Sequence, residues 1–140
     1  MKLRYGAKVV LRRRSDNKYL ILWSSKWDEN PRRSQKPDLP GGLVEEGETI
    51  IAGLLREVRE EVGCSLDERA LKLAYAFVWD EDDISTVFEA YFAEVDAIDV
   101  VLSWEHERYA WLTAKEVLDL EIREPYPTIF RHMNNVGLLN

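Results

Sequence analysis

The apolar residues of this chain fall into short runs separated by polar turns. Residues 3–11 form the first run, with Val9, Val10 and Leu11 apolar, and predict a strand. Residues 12–18 are polar and contain the turn pair Asp16-Asn17, so the run at 19–23 is expected to close a hairpin. Residues 24–36 are polar, include Pro31, and are long for a tight connection, which suggests a functional loop. Pro37-Asp38-Leu39-Pro40-Gly41-Gly42 then restricts the backbone to a sharp path. Residues 71–79 and 84–95 predict strands around the acidic turn Asp80-Glu81-Asp82-Asp83. Beyond them, 103–108 reads as a polar connection, 109–112 as a short strand, and 114–120 and 127–134 as helices. Strands and helices are mixed rather than regularly alternating. The expected fold class is α/β, with helices on both faces of a mixed sheet, in one domain over residues 1–140.

The strongest helix signal covers residues 49–62. Ile51, Leu54, Leu55, Val58 and Val62 follow the spacing of one buried stripe, Thr49 suits the N-cap and Gly63 the C-terminal stop. Gly53 inside it costs ~1 kcal/mol relative to alanine, which a close helix-to-sheet contact would justify. Glu57, Glu60 and Glu61 stand at i, i+3 and i+4 and share a face. At 3.6 residues per turn that face is centred roughly 120° from the apolar stripe. One side of the helix is thus expected to enter the core while the other presents three carboxylates. Their mutual repulsion is a few tenths of a kcal/mol per pair. Arg56, one turn before Glu60, can offset part of it, and a divalent cation more. A solvated acidic face is the alternative for the helix taken alone. Gly41-Gly42 just upstream permits a close backbone approach, and Glu48 suits the positive end of the helix dipole. Loop and helix together make a platform for metal and phosphate.

Composition narrows the chemistry. A single cysteine, Cys64, excludes an internal disulfide and a thiolate metal cluster, and His106 and His132 lack zinc-ligand spacing. Any metal would rest mainly on carboxylates, which favours hard cations such as Mg²⁺ or Mn²⁺. No apolar run approaches the ~20 residues of a membrane span, and residues 1–5 lack a secretory signal, so no membrane partner and a cytoplasmic location are expected. The net charge of −7 argues against general nucleic-acid binding. The first 40 residues are nevertheless basic, with 11 Lys and Arg against 4 Asp and Glu, which keeps an RNA 5′ end open as a partner.

From Gly42 the sequence runs G-L-V-E-E-G-E-T-I-I-A-G-L-L-R-E-V-R-E-E-V-G-C. This resembles the box of the Nudix hydrolase family (MutT-like), G-x5-E-x7-R-E-U-x-E-E-x-G-U, where U is bulky and aliphatic. Gly42, Glu48, Arg56, Glu57, Val58, Glu60, Glu61 and Gly63 match, and Cys64 departs at the last aliphatic position, where a small buried residue is tolerable. The resemblance implies an α/β/α sandwich around a mixed β-sheet. It implies that Glu57, Glu60 and Glu61 hold divalent cations, that Arg56 orients them, and that Glu48 is a structural or outer-shell glutamate. Gly42 is the loop glycine beside the site. A further ligand or base from outside the box is expected at Glu105, six residues before Trp111, with Glu107 as the rival. His106 between them reads as a surface histidine in a turn.

The implied activity is metal-dependent hydrolysis of a nucleoside diphosphate linked to another group, with Glu60 or Glu105 taking the proton of the attacking water. The partner is then a small phosphorylated nucleotide. Tyr5, Trp23, Trp27, Trp79 and Phe88 are candidates to stack a base, and Arg12, Arg13, Arg14, Arg32 and Arg33 to meet phosphates. Subfamily hints conflict. Residues 102–112 resemble dinucleoside polyphosphate hydrolases, and Glu-His-x4-Trp resembles some deoxynucleoside triphosphate pyrophosphohydrolases. Pro-Asp-Leu-Pro-Gly-Gly resembles nucleotide-sugar or nucleoside triphosphate members. The alternative is a catalytically silent nucleotide-binding module of the same fold; an isomerase of the isopentenyl diphosphate type fits worse, because Cys64 stands at the end of the box. A homodimer stays open.

Overall fold

The structure, a computed structural model, describes residues 2–31 and 34–140. Seven strands form one mixed sheet: β1 (Lys2–Arg13), β2 (Lys18–Ser24), β3 (Pro37–Asp38), β4 (Gly41–Leu43), β5 (Lys72–Glu81), β6 (Ile84–Val95) and β7 (His106–Leu112). Among the described residues three α-helices, α1 (Ile50–Val62), α2 (Ala114–Asp119) and α3 (Tyr126–Asn135), and a short 3-10 turn at Glu68–Ala70 complete it. The order is β3-β2-β1-β6-β5, with β4 also on β1 and β7 on β2. β1 and β6 run parallel in register from Lys2↔Ile84 to Arg13↔Val95, and the other pairs are antiparallel. The mixed sheet is as expected.

Alternation along the strands builds two cores. Val9, Leu11, Leu20, Leu22, Tyr91 and Ala93 point to one face and pack with Leu54, Val58 and Val62 of α1. Val10, Tyr19, Ile21, Ala90 and Phe92 point to the other and pack with Val117, Ile129, Phe130 and Met133 of α2 and α3. The result is the α/β/α sandwich. α1 is capped as predicted: the Thr49 hydroxyl accepts from the Ala52 N–H, and Gly63 ends the helix at φ 71°. Gly53 does meet a close neighbour, but the neighbour is the loop before the helix: an added Cβ would lie 3.1 Å from Glu48 Oε1 and 3.3 Å from Val44.

The sheet forks at β1, which the hydrophobic pattern does not announce. β2 pairs with β1 only at Arg12↔Tyr19 and Arg13↔Lys18, then peels away to pair with β3 and β7. β4 takes its place, matching Ala7↔Gly42 and Lys8↔Gly41, and Val9 N–H donates to the Pro40 carbonyl. Two-residue β3 and three-residue β4 are too short for any periodicity to show, so residues 37–42 read from sequence only as a constrained bend. The connection after β6 is shorter than expected, because β7 starts at His106 rather than at Tyr109.

Gly41 is the residue the fork cannot replace. Its φ is +130°, and a Cβ there would sit 2.1 Å from the Ala7 carbonyl oxygen. Backbone on backbone cannot swing away. Gly41→Ala should therefore destabilise the domain by about 1–3 kcal/mol or more in urea unfolding. Gly47→Ala, at φ +86° with no neighbour within 4 Å, meets only the backbone penalty and should cost less. Equal losses would contradict the fork packing.

Candidate active site

Arg56 organises the outer side of α1. Its Nε and Nη2 donate to the two Glu48 carboxylate oxygens at 2.8 and 3.0 Å. Its Nη1 donates to Glu57 Oε1 at 3.1 Å and Glu60 Oε2 at 3.2 Å. A planar guanidinium suits this forked geometry. Hydrogen bonding to Glu48 raises the Arg56 pKa above its ordinary value, and the same bond, helped by the Glu45 N–H, lowers that of Glu48. Gly42 leaves the room: a Cβ on it would stand 3.0 Å from the Glu57 carboxyl carbon.

The three helix carboxylates do not share one environment, contrary to the helical-wheel expectation. Glu60 is exposed and Glu57 half-buried, but Glu61 turns inward and is 2% exposed. Its Oε1 accepts from the Gly41 N–H at 2.9 Å, and its Oε2 lies 3.5 Å from His106 Nδ1. Burial, with the Asp38 and Glu57 carboxylates nearby, pushes the Glu61 carboxyl up to about 8, against the opposing pull of Lys8 and the Gly41 amide.

Behind Glu61 lies a buried array of charged and polar side chains. Lys8 Nζ donates to Asp38 Oδ1 at 3.1 Å and to the carbonyls of Leu39 and Gly41, both at 3.0 Å. Asp38 also accepts from the Tyr126 hydroxyl at 2.5 Å and the Leu39 N–H at 2.8 Å. Burial disfavours both charges, yet Lys8, His106 and Tyr126 hold the Asp38 carboxyl far below its usual range, and Asp38 lifts Lys8 above its own. His106, expected at the surface, has a side chain with 0% exposure, set between Asp38 and Glu61. The cause is a bulge: Trp23↔Arg108 is followed by Ser24↔His106, so Glu107 is the extra residue and His106 is aimed inward.

Glu105 reaches the site through a turn strapped on both sides. Ser103 N–H donates to the Glu61 carbonyl at 3.4 Å, and Ser25 N–H to the Glu105 carbonyl at 2.8 Å. Glu105 and Glu57 line one cleft of about 410 Å³, together with Arg4, Lys8, Phe88 and Arg123. Glu107 is exposed and does not line it. Gly41 and Gly42 form part of the cleft wall. Several other candidates lie elsewhere. Tyr5 is 45% exposed beside a separate shallow cleft with residues 44–50, and Trp27 packs on Trp104 at 5.3 Å. Arg12 and Arg13 at the far end of β1, and Arg14 just beyond it, pair with Glu94, Asp16 and Asp96. Trp23 lies under Arg108, and Trp79 donates to Glu81. Arg32 and Arg33 lie outside the described residues. Lys8, Asp38, Arg4 and Arg123 were missed; the legible signal was Lys8 and Asp38 as lone charges inside apolar or proline-bounded runs.

A family model described as NUDIX domain matches residues 2–133. The chain belongs to the Nudix family. With the charged positions of the Nudix box intact, it is a hydrolase of phosphoric anhydride bonds. Solved Nudix-type structures share its fold across nearly its whole length. A MutT protein from Methanosarcina mazei Go1 superposes with a TM-score of 0.83 at 23% identity, covering 97% of this chain and 96% of that one. An Ap4A hydrolase from C. elegans gives 0.70 at 16%, covering 98% of each. An E. coli dihydroneopterin triphosphate pyrophosphohydrolase gives 0.71 at 19%, covering 94% and 96%. No curated protein matches this chain in sequence. Among the described residues of this Nudix chain, no three His, Cys, Asp or Glu side chains stand ready-made around one point, and no helix is long and apolar enough to cross a membrane.

The Lys8–Asp38 pair is buried on both sides, with side chains 11% and 3% exposed. Lys8→Met should cost about 3–5 kcal/mol in denaturant unfolding by leaving a buried carboxylate without its cation. Adding Asp38→Asn should recover part of that loss. Losses that simply add would show the pair to be uncoupled.

Proposed function

We propose that the chain is a divalent-metal-dependent pyrophosphohydrolase acting on a small nucleotide, cleaving the anhydride of a nucleoside diphosphate linked to another group. One observation carries this: Glu57 of α1 and Glu105, far away in sequence, line the same cleft as the cations Arg4, Lys8 and Arg123. Carboxylates and cations lining one cleft suit a metal-bridged polyphosphate.

The donor chemistry fits a hard cation. Glu57, Glu60, Glu61 and Glu105 offer oxygen only, as Mg²⁺ and Mn²⁺ favour. Burial is the main cause of the raised Glu61 carboxyl, with the Asp38 and Glu57 carboxylates adding to it, and a cation beside it would favour the ionised form. Those four glutamates would hold it, and Glu57 and Glu60 would exchange the Arg56 contact for it. When bound, the ion would neutralise the pyrophosphate oxygens and lower the pKa of a water at the site.

The chain's own residues do the rest. Arg4 and Arg123 draw the phosphates into the cleft and hold them in line, while Lys8, its three donors spent on Asp38, Leu39 and Gly41, adds positive charge to the cleft lining. Phe88 lines the same cleft and presents a ring to a base or other flat group. Glu60 or Glu105 takes the proton from the attacking water. Gly41 and Gly42 let the phosphates approach the backbone closely. The products are a nucleoside monophosphate and a second phosphorylated fragment. Arg56 positions Glu57 and Glu60 while Glu48 holds Arg56.

A panel of nucleoside triphosphates, dinucleoside polyphosphates, ADP-ribose, nucleotide sugars and 5′-triphosphate RNA tests this, with Mg²⁺ or Mn²⁺ and with chelator. The expected outcome is turnover of at least one small nucleotide, abolished by chelator, with a nucleoside monophosphate among the products. Glu60→Gln should lower kcat by about 10²–10⁴-fold with unchanged unfolding behaviour. Near-normal activity in that variant, or turnover in chelator, would contradict the assignment. Metal and nucleotide binding without any turnover would favour the silent module.

A further inference from the structure

We infer that His106 is a positioning residue for the pyrophosphohydrolase: its Nδ1 braces Glu61 from the inner side, while its Nε2, facing Asp38, only helps orient the ring. The inference rests on the metal-dependent reading above.

The geometry is specific. The imidazole is enclosed, with 0% side-chain exposure, and its two nitrogens face two different carboxylates. Nδ1 lies 3.5 Å from Glu61 Oε2, and Nε2 lies 3.5 Å from Asp38 Oδ2. Neither nitrogen completes a hydrogen bond among the described residues. Buried polar atoms are rarely left so, and an orphan of this kind in a native site calls for a role. At 3.5 Å the contacts are too long for hydrogen bonds. Catalytic hydrogen bonds are often this loose before the site is loaded and tighten when it is.

His106 is poised to brace Glu61 because everything else around it is fixed. Asp38 is held by Lys8, by the Tyr126 hydroxyl and by the Leu39 N–H. Glu61 is held on its other oxygen by Gly41. The β7 bulge aims the ring into the gap between them. Lys8, Asp38 and Tyr126 also line the substrate cleft, so the ring joins the glutamate on α1 to the lining of that cleft. Moving Glu61 by one oxygen's width would displace an oxygen ligand. Groups that hold metal-binding carboxylates in this way typically contribute about 10–100-fold in metal affinity or activity.

The two nitrogens can be tested separately. The asparagine amide sits where Nδ1 sits, counted along the side chain, and the glutamine amide where Nε2 sits. His106→Asn therefore keeps the Glu61 side and drops the Asp38 side, His106→Gln does the reverse, and His106→Phe removes both. Mn²⁺ binding to the whole protein, followed by the loss of the free-ion EPR signal without substrate, reads the site independently of turnover. His106→Asn should bind Mn²⁺ within a few-fold of the parent protein. His106→Gln and His106→Phe should bind about 10–100-fold more weakly, with kcat reduced by a similar factor and KM little changed. Should the phenylalanine variant not fold, the asparagine–glutamine comparison decides alone. Equal binding by these two, or tighter binding by the glutamine variant, overturns the inference. A parent protein that neither binds Mn²⁺ nor hydrolyses any nucleotide removes the underlying reading instead, and His106 with it.

Discussion

Lys8 donates to three acceptors at the point where β1 exchanges β2 for β4, and the rest of the site hangs on that contact. Taking an ammonium and a carboxylate out of water costs several kcal/mol for each ion, so the array is tolerable only when fully bonded. Lys8 is satisfied by Asp38 and the carbonyls of Leu39 and Gly41, while Tyr126 and the Leu39 amide also donate to Asp38 Oδ1 and His106 faces its Oδ2. Those bonds fix the path of residues 38–41. The path fixes the Gly41 N–H, which fixes Glu61. A bend in the chain, rather than the helix alone, thereby decides where the innermost glutamate stands.

Two cations divide the work of holding carboxylates. Arg56 handles the solvent side of α1, where Glu48 anchors it and Glu57 and Glu60 share its Nη1. Lys8 handles the interior. The difference has a consequence for metal binding. Contacts to Arg56 are partly exposed, so under the proposed function an entering cation would displace them more readily than the interior bonds. The interior bonds are too costly to break and stay as a fixed wall. The outer glutamates are therefore adjustable, and Glu61 provides the constant reference.

Much of this was legible in the sequence, and the misses have physical causes. The α1 stripe, its caps and the long strands follow from periodicity, because each spans enough residues for a pattern to repeat. Spacing and family likeness single out the box glutamates, Arg56 and Glu48, and the distance to Trp111 singles out Glu105; the structure puts Glu57 and Glu105 on one cleft. β3 and β4 carry too few residues to show a period. Glu61 was expected outside with its neighbours, but a helical wheel does not know that Gly41 and His106 wait on the inner side. His106 was read as a surface residue because a bulge rotates a strand by one residue without any mark in composition. Tyr5 and Trp27 lie away from the Glu57–Glu105 cleft, because ring chemistry alone carries no information about position.

The central claim is that the α1 glutamates and Glu105 converge on one divalent ion beside the Gly41-Gly42 bend. Titrating Mn²⁺ into nitrogen-15-labelled protein and following paramagnetic broadening of backbone amides tests it most directly. The predicted result is early, selective broadening at Gly41, Gly42, Glu57, Glu60, Glu61 and Glu105. Broadening centred instead on the exposed acidic turn Asp80-Glu81-Asp82-Asp83, or uniform over the surface, would contradict it.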